Sequence, residues 1–307
     1  LCNDRPPVRY DRLSINIGST PKLTDAGSQS TRAVAVKPIN QFNARWLALL
    51  ARVRTRPGPM HIALVGGGAG GVELLLAMQY RLCHQLKRLG QDPNALKFSL
   101  FTRGAAILPT HSHRVQQRFT DTLQARGVRL HINAAVTAVD VQGLTTSNGE
   151  HHLADEVIWV TRAGGASWLQ DTGLALDADG FIQVTDTLQT VTDPHVFASG
   201  DIATMINHPR EKAGVFAVRQ GPPLARNLRL SLEDKPLRNY YPQRRWLALI
   251  STGDQYAVGS RGDFSAAGAW LWRWKDHIDR RFMSKCNDLP AMQEKPDSAP
   301  RSTVALA

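Results

Sequence analysis

The stretch His61-Ile-Ala-Leu-Val-Gly-Gly-Gly-Ala-Gly-Gly-Val-Glu-Leu-Leu-Leu-Ala-Met78 decides the fold of this chain. The residues from Ile62 to Val65 are apolar or small and predict a buried parallel strand. Its centre is rich in glycine and predicts a tight turn, and its leucine-rich end predicts a helix. A G-x-G-x-x-G pattern is specific only when a strand precedes it and a helix follows, and both conditions are met here.

Each glycine of this loop has a physical role. Gly66 allows the tight turn after the strand, Gly68 lets the backbone approach a pyrophosphate, and Gly71 lets the helix pack closely on the strand. Glu73 continues the motif into the helix. The positive end of that helix then faces the phosphate charge, so the loop predicts a dinucleotide-binding site.

Composition sets broad bounds on the function. The chain has 307 residues, 42% hydrophobic and 21% charged, which predicts a globular protein of two or three domains. The formal net charge of +11 is spread without a basic block, so a solvated basic surface is favoured over a nucleic-acid arm, while attraction to anionic cofactors or a membrane face stays open. The three cysteines lie far apart and form no CxxC, which fits a reducing, cytoplasmic setting.

Periodicity divides the chain into segments. Strands alternate with helices over residues 60–165, which predicts a parallel α/β sheet with an inserted antiparallel hairpin. The predicted strands are residues 12–17, 61–65, 97–102, 128–132, 135–141, 156–160, 181–184, 245–251 and 256–259, and the other predicted helices lie around residues 42–53, 213–232 and 270–282. The predicted boundaries are 1–35, 36–59 (linker and short helix), 60–165, 166–235, 236–290 and a disordered tail at 291–307.

Four motifs occur in a fixed order along the chain. They are Tyr-Asp-x-Leu-x(4)-Gly-Ser-x-Pro at 10–21, GxGxxGxE at 66–73, Asp-Glu-Val-Ile-Trp-Val-Thr at 155–161 and Phe-Ala-Ser-Gly-Asp at 197–201. This ordered set resembles the pyridine nucleotide-disulfide oxidoreductase superfamily and, within it, the type II NADH dehydrogenase-like branch. The runs at 212–222 and 272–279 resemble NADH dehydrogenase-like proteins associated with selenide, water dikinase.

The resemblance implies two Rossmann-like domains, with an FAD domain at 1–35 and 166–235 interrupted by an NAD(P) domain at 60–165, plus a small C-terminal α+β segment. It implies FAD and NAD(P)H as cofactors. Asp201, after Gly200, would accept a hydrogen bond from a flavin ribityl hydroxyl, although the same carboxylate also suits a helix N-cap. Gly18 and Ser19 would lie where the backbone passes the adenosine half of FAD.

The helix that begins near Lys212 would aim its positive end at the flavin pyrimidine edge. Lys212 and Gln220 are candidates for that environment, with a solvated lysine and a packed glutamine left open. The implied chemistry is hydride transfer from nicotinamide to flavin, which the cofactors carry, so no catalytic acid or base is predicted. A quinone or another small molecule would accept the electrons. The tryptophan-rich segment at 270–274 would touch the inner face of a membrane or a partner domain such as selenide, water dikinase, with core packing as the alternative.

Three departures from the family pattern bear on activity. The family's first strand and glycine loop are absent before Tyr10, and the chain begins with Leu1, so an N-terminally incomplete FAD domain is expected. The strand ending at Thr102 lacks the acid that binds an NAD ribose, and Arg103 follows, which leaves both NADH and NADPH open. Arg162 stands where relatives carry glycine, and it would either narrow the cleft or contact phosphate.

Other patterns indicate less. The histidines at 111, 113, 151 and 152 lack further ligands at metal spacing, so no metal site is predicted. The sequence contains no array of aromatic residues of the kind that binds RNA. Two hypotheses therefore remain, a flavin-dependent NAD(P)H oxidoreductase and a non-catalytic dinucleotide-binding or partner-docking module derived from one.

Overall fold

The computed structural model describes residues 6, 8–21, 33–37, 39–55, 58–160 and 163–288. Its strands are β1 Leu13–Ile15, β2 Thr20–Pro21, β3 Ala33–Ala35, β4 Met60–Val65, β5 Leu96–Phe101, β6 Val128–His131, β7 Val136–Val139, β8 Gly143–Thr146, β9 His151–Leu153, β10 Glu156–Trp159, β11 Ala163–Gly164, β12 Ile182–Val184, β13 Val196–Ala198, β14 Ala203–Met205, β15 Ala248–Ser251, β16 Ala257–Arg261 and β17 Phe264–Gly268. Its helices are α1 Ile39–Thr55, α2 Ala69–Arg88, α3 His113–Ala125, α4 Gly214–Leu232 and α5 Ala269–Asn287.

The largest sheet has five parallel strands in the order β3-β10-β4-β5-β6. Strand β4 is central, and its residues from Ile62 to Val65 are all buried because layers cover both faces of the sheet. The connections β4-α2-β5-α3-β6 are those of a Rossmann half, which confirms the predicted α/β fold. Residues 33–35, which the sequence groups with the first segment, form the edge strand β3 of this sheet.

One face of the five-stranded sheet carries the main core. Helix α1 packs here through Phe42, Leu49 and Val53, the apolar spacing that predicts this helix. Residues Ile250 and Val258 of the C-terminal sheet join the same core. Strands β15 and β16 therefore pack on the half of the molecule that contains the five-stranded sheet.

The opposite face is covered by the antiparallel sheet β7-β8-β9. Its Leu144 packs against Phe101 and Trp159 of the parallel sheet. The inserted piece is thus larger than the predicted hairpin, and β6 pairs with β5 in the parallel sheet. Strands β8 and β9 have only four and three residues, which is too short to show a clear alternation in the sequence.

A second core surrounds the paired parallel strands β1 and β13. Their register sets Ile15 opposite Ala198, so the loops that follow leave the same edge of the strands. Strands β12 and β14 form another parallel pair, and α4 packs Leu224 into this core. The parallel register brings the predicted motifs at 10–21 and 197–201 together.

The C-terminal part is a three-stranded antiparallel sheet, β15-β16-β17, followed by α5. The sequence predicts only the first two strands, because the small residues of β17 show no strong strand pattern. Helix α5 extends five residues beyond the predicted end, and every residue from His277 to Asn287 is exposed. Among the described residues, no helix is long and apolar enough to cross a membrane. The predicted disordered tail lies outside the described residues.

Candidate functional site

The glycine loop lies between β4 and α2, at the carboxyl edge of the five-stranded sheet. Gly66 has a φ of +134°, and its amide N–H donates to the Phe101 carbonyl oxygen over 2.9 Å. A Cβ placed on Gly71 would lie 2.0 Å from the Gly66 carbonyl oxygen, so a side chain there has no room. A Cβ on Gly68 would meet nothing within 4 Å. The loop is therefore tight where helix meets strand and open above Gly68, as a cradle for phosphate requires.

The segment after β5 closes one side of this cradle. Thr102 is buried, and an ideal Cβ on Gly67 would lie 2.7 Å from the Thr102 hydroxyl oxygen. The Leu108 N–H donates to the Gly67 carbonyl oxygen over 2.7 Å, which ties the segment to the loop. Arg103 is exposed beside Thr102. The structure thus places the predicted ribose-facing position directly against the glycine loop.

Glu73 has a different set of contacts from the glycines. Its Oε1 accepts the Ser251 N–H over 3.0 Å and lies 3.8 Å from the Lys275 Nζ. Burial raises the pKa of Glu73, while Lys275 and the Ser251 amide oppose that shift. These contacts join α2 to the C-terminal sheet and α5, and they show a structural role for the Glu73 carboxylate.

A second polar cluster forms where β1, β3 and β13 end. The Asp201 Oδ2 accepts hydrogen bonds from the Ser19 hydroxyl over 3.3 Å and from the Lys37 ammonium over 3.1 Å. Lys37 also donates to the Ser19 hydroxyl over 2.7 Å. Ser19 is buried, whereas the Lys37 side chain is 46% exposed and has room to meet a further anion. The sequence gives no signal for Lys37, because it follows a short strand with no motif around it.

Two glycines shape the backbone around this cluster. Gly18 has a φ of +76° and Gly200 a φ of +73°, and both lie in the left-handed region that favours glycine. The Gly200 N–H donates to the Oε1 of the buried Gln220 over 2.6 Å. Of the two alternatives left open for Gln220, the packed one describes its side chain here: it supports the Gly200 turn from α4.

Lys212 is half-buried, and its ammonium group has three partners within the protein. Its Nζ donates to the Ala203 carbonyl oxygen over 2.6 Å and to the Thr204 hydroxyl over 2.9 Å. The same ammonium lies 4.0 Å from the centre of the Phe181 ring. Burial lowers the pKa of Lys212, while Asp177 and Asp201 oppose that shift. The structure therefore does not support the alternative of a solvated Lys212.

Two of the four histidines that the sequence raised as metal candidates, at positions 111 and 152, have other partners. His111 Nδ1 is 3.0 Å from the Ser260 hydroxyl, and His152 packs edge-on against Phe101 and His131. Within the described part of the chain, no group of three or more His, Cys, Asp or Glu side chains is placed to hold a metal ion. Thr161 and Arg162 lie outside the described residues.

The residues present fit a dinucleotide at the glycine loop, since the loop is open above Gly68 at the start of a 20-residue helix. The Asp201 cluster offers a carboxylate, a hydroxyl and an ammonium, which suit the hydroxyls and phosphates of a second dinucleotide. The sequence contains one G-x-G-x-x-G loop, at residues 66–71. Together, the fold and the site define a class of protein that binds nucleotides at the carboxyl ends of parallel strands.

The comparisons identify the family. The family model described as pyridine nucleotide-disulphide oxidoreductase matches residues 2–227, so the chain belongs to that family. It is 29% identical over 211 residues to a type II NADH:quinone oxidoreductase from Haemophilus influenzae, covering 66% of this chain and 46% of the relative. It is 23% identical over 286 residues to the NADH dehydrogenase-like protein YutJ from Bacillus subtilis, and the match covers 90% of this chain and 75% of that relative. The chain thus spans about half the length of the first of these relatives.

Solved structures show the same fold. The sulfide:quinone oxidoreductase of Aquifex aeolicus superposes with a TM-score of 0.73 at 18% identity, covering 92% of this chain and 70% of that one. A water-forming NADH oxidase from Lactobacillus brevis bound to NADH superposes with a TM-score of 0.63 at 21% identity, covering 82% of this chain and 52% of that one. Its engineered NADPH-oxidising form, bound to NADPH, gives the same values.

Proposed function

We propose that this chain carries the nicotinamide-binding domain and flavin-binding residues of an FAD-dependent NAD(P)H oxidoreductase. The observation that carries the proposal is the cradle at Gly66–Gly71, tight against β4 and open above Gly68. The NADH:quinone oxidoreductases among its relatives support the reaction class. The fold itself is compatible with NADH and with NADPH, since solved structures of it hold either one.

In this proposal the glycine loop holds the nicotinamide dinucleotide. Gly66 and Gly71 let β4 and α2 approach each other, and Gly68 leaves the backbone free to meet the pyrophosphate. The amide N–H groups at the start of α2 then face the phosphate charge. Glu73 acts indirectly, by tying α2 to β15 through the Ser251 amide.

The Asp201 cluster would hold FAD. Asp201 accepts a hydrogen bond from a ribityl hydroxyl, and Ser19 and Lys37 orient the carboxylate by donating to it. Gln220 keeps the Gly200 turn in place, and Lys212 fastens α4 to β14. The start of α4 then contributes its positive end to the flavin environment.

When bound, the nicotinamide supplies a hydride and the flavin accepts it. The described residues bind and orient the two cofactors, and no acid or base of this chain is assigned to the transfer. We propose a quinone-type acceptor, because relatives of this chain are named NADH:quinone oxidoreductases.

The C-terminal helix suggests where the acceptor is met. The exposed apolar side chains Trp270, Trp274, Ile278 and Phe282 recur every four residues and form one stripe on α5. Basic residues at 273, 281 and 285 are exposed on the same helix. Such a helix suits the interface of an anionic bilayer, so we propose peripheral contact with the cytoplasmic face of a membrane. Docking to a selenide, water dikinase domain is the competing proposal for this surface, and it rests on the sequence resemblance at 272–279.

The visible absorption spectrum of the purified chain, with and without added FAD, tests the proposed function. Flavin bands that travel with the protein and bleach on addition of NADH or NADPH support an oxidoreductase. A colourless protein that ignores FAD and still binds a nicotinamide dinucleotide supports the second candidate, a non-catalytic dinucleotide-binding module. The glycine loop supports this second candidate as well, because it can hold a dinucleotide whether or not a flavin is bound.

A further inference from the structure

The end of β5 is the part of the cradle that would meet the adenosine ribose. In dinucleotide-binding folds, an acid at the end of the second strand binds the ribose 2′-hydroxyl of NAD, whereas an arginine nearby accommodates the 2′-phosphate of NADP. Thr102 occupies that position, and the contact between its hydroxyl and the Gly67 position shows that it borders the glycine loop. The choice between the two cofactors therefore depends on the side chains around Thr102.

The segment from residue 102 to residue 114 carries no aspartate or glutamate. Thr102 accepts the Gly104 N–H over 3.4 Å and brings no charge to the site. Two carboxylates on other parts of the chain already have partners. The Glu150 Oε2 lies 3.7 Å from the His152 Nε2, and the Glu211 side chain is hydrogen-bonded to Thr110. A 2′-phosphate would thus meet no carboxylate on the segment that borders the loop.

Arg103 places a positive charge next to Thr102, opposite in sign to a 2′-phosphate. Its side chain is exposed, and it forms no ion pair within the described part of the chain. A guanidinium group presents a planar pair of donors that match phosphate oxygens, and it stays charged at any physiological pH. Arg103 directly follows Thr102 at the carboxyl end of β5, the end of the strand at which the ribose of a bound dinucleotide lies.

We infer that the nicotinamide dinucleotide of this site is the 2′-phosphorylated one, NADPH or NADP⁺, and that Arg103 binds its 2′-phosphate. The inference rests on the proposed function only in that the glycine loop must hold a dinucleotide. It does not depend on FAD or on turnover.

Calorimetric titration of the full chain with adenosine 2′,5′-bisphosphate and with 5′-AMP tests it. We expect the bisphosphate to bind about ten- to a hundredfold more tightly, the range of one charge-assisted contact. Arg103→Ala should remove that advantage and leave 5′-AMP affinity unchanged. Arg114→Ala, at the exposed start of α3, is the matched control and should preserve the advantage.

Three results would overturn the inference. Equal affinity for the two ligands in the unmodified chain would show that the 2′-phosphate is not recognised. Equal weakening of both ligands by Arg103→Ala would mean that the guanidinium stacks on the adenine instead. Binding of neither ligand would remove the cradle assignment as well, and only this last result touches the proposed function.

Discussion

The Lys37 ammonium lies 3.1 Å from the Asp201 carboxylate, although 164 residues separate them in sequence. The contact joins the end of β3, which belongs to the five-stranded sheet, to the turn after β13, which belongs to the second core. Ser19 completes the cluster from the turn after β1. A site made from three such segments exists only when both parts of the molecule are folded together.

Asp201→Ala should weaken FAD binding. Loss of a charge-assisted hydrogen bond predicts about a ten- to hundredfold increase in the FAD dissociation constant. Asp201→Asn keeps one acceptor oxygen and should lose less. Flavin absorbance per chain after gel filtration measures the effect. Because Ser199, not Asp201, is the N-cap of the short helix here, unchanged flavin content together with a lower melting temperature would instead assign Asp201 to the structural ion pair with Lys37.

Gly68→Val should abolish dinucleotide binding without unfolding the chain. Gly68 has an extended backbone with φ −75°, and a Cβ there meets no protein atom within 4 Å. The valine side chain would occupy the space that the pyrophosphate needs. NADPH and NADH titration by fluorescence measures affinity, and the melting temperature reports on the fold. Retained affinity would show that the dinucleotide lies elsewhere.

Gly71→Ala should destabilise the fold, whereas Gly70→Ala should not. The added Cβ at residue 71 meets the Gly66 carbonyl oxygen, and crowding of this kind costs about 1–3 kcal/mol or more. Gly70 is also in α2 and has open space around it, so alanine there should stabilise by about 0.5–1 kcal/mol. Urea unfolding of the two variants provides the comparison. Similar stabilities would mean that α2 can shift away from β4.

Glu73→Gln should change how stability depends on pH. The pKa of Glu73 is raised in the folded state, chiefly by burial, so the folded protein holds its proton more tightly than the unfolded chain does. The free energy of unfolding therefore falls as pH rises from about 4.5 through the raised pKa. The glutamine variant still accepts the Ser251 N–H and lacks this contribution. Its stability relative to the unmodified chain should increase with pH over that range, and a constant difference would contradict the prediction.

Phe282→Ser should weaken binding to vesicles that contain anionic lipid. Phe282 is exposed at the far end of the apolar stripe on α5, where its loss removes area that would insert into the bilayer. Leu153→Ser, which changes another exposed apolar side chain, is the control and should bind like the unmodified chain. Vesicle sedimentation measures both. Equal binding by the two variants would remove α5 from the membrane contact.

The site could be predicted from the sequence only where local rules apply. The glycine loop is recognisable because the tight turn and the close packing at Gly71 leave room only for glycine. Helix α1 is recognisable because its apolar residues recur with helical spacing. The short strands β8, β9 and β17 escape prediction because three to five residues carry too little periodic signal. The role of Lys37 could not be predicted, because nothing near it in the sequence indicates an ion pair.

The sequence by itself determined the α/β class, the glycine loop between strand and helix, and the order of the four motifs. The tertiary structure decided which side chains meet: Glu73 contacts Ser251, Lys212 packs on the Phe181 ring, and Lys37 pairs with Asp201. The physical reason is that periodicity and turn chemistry act within a few residues, whereas hydrogen bonds and ion pairs depend on which strands lie side by side. Parallel strands such as β1 and β13 pair only after long crossover connections, so their contacts are absent from any local pattern.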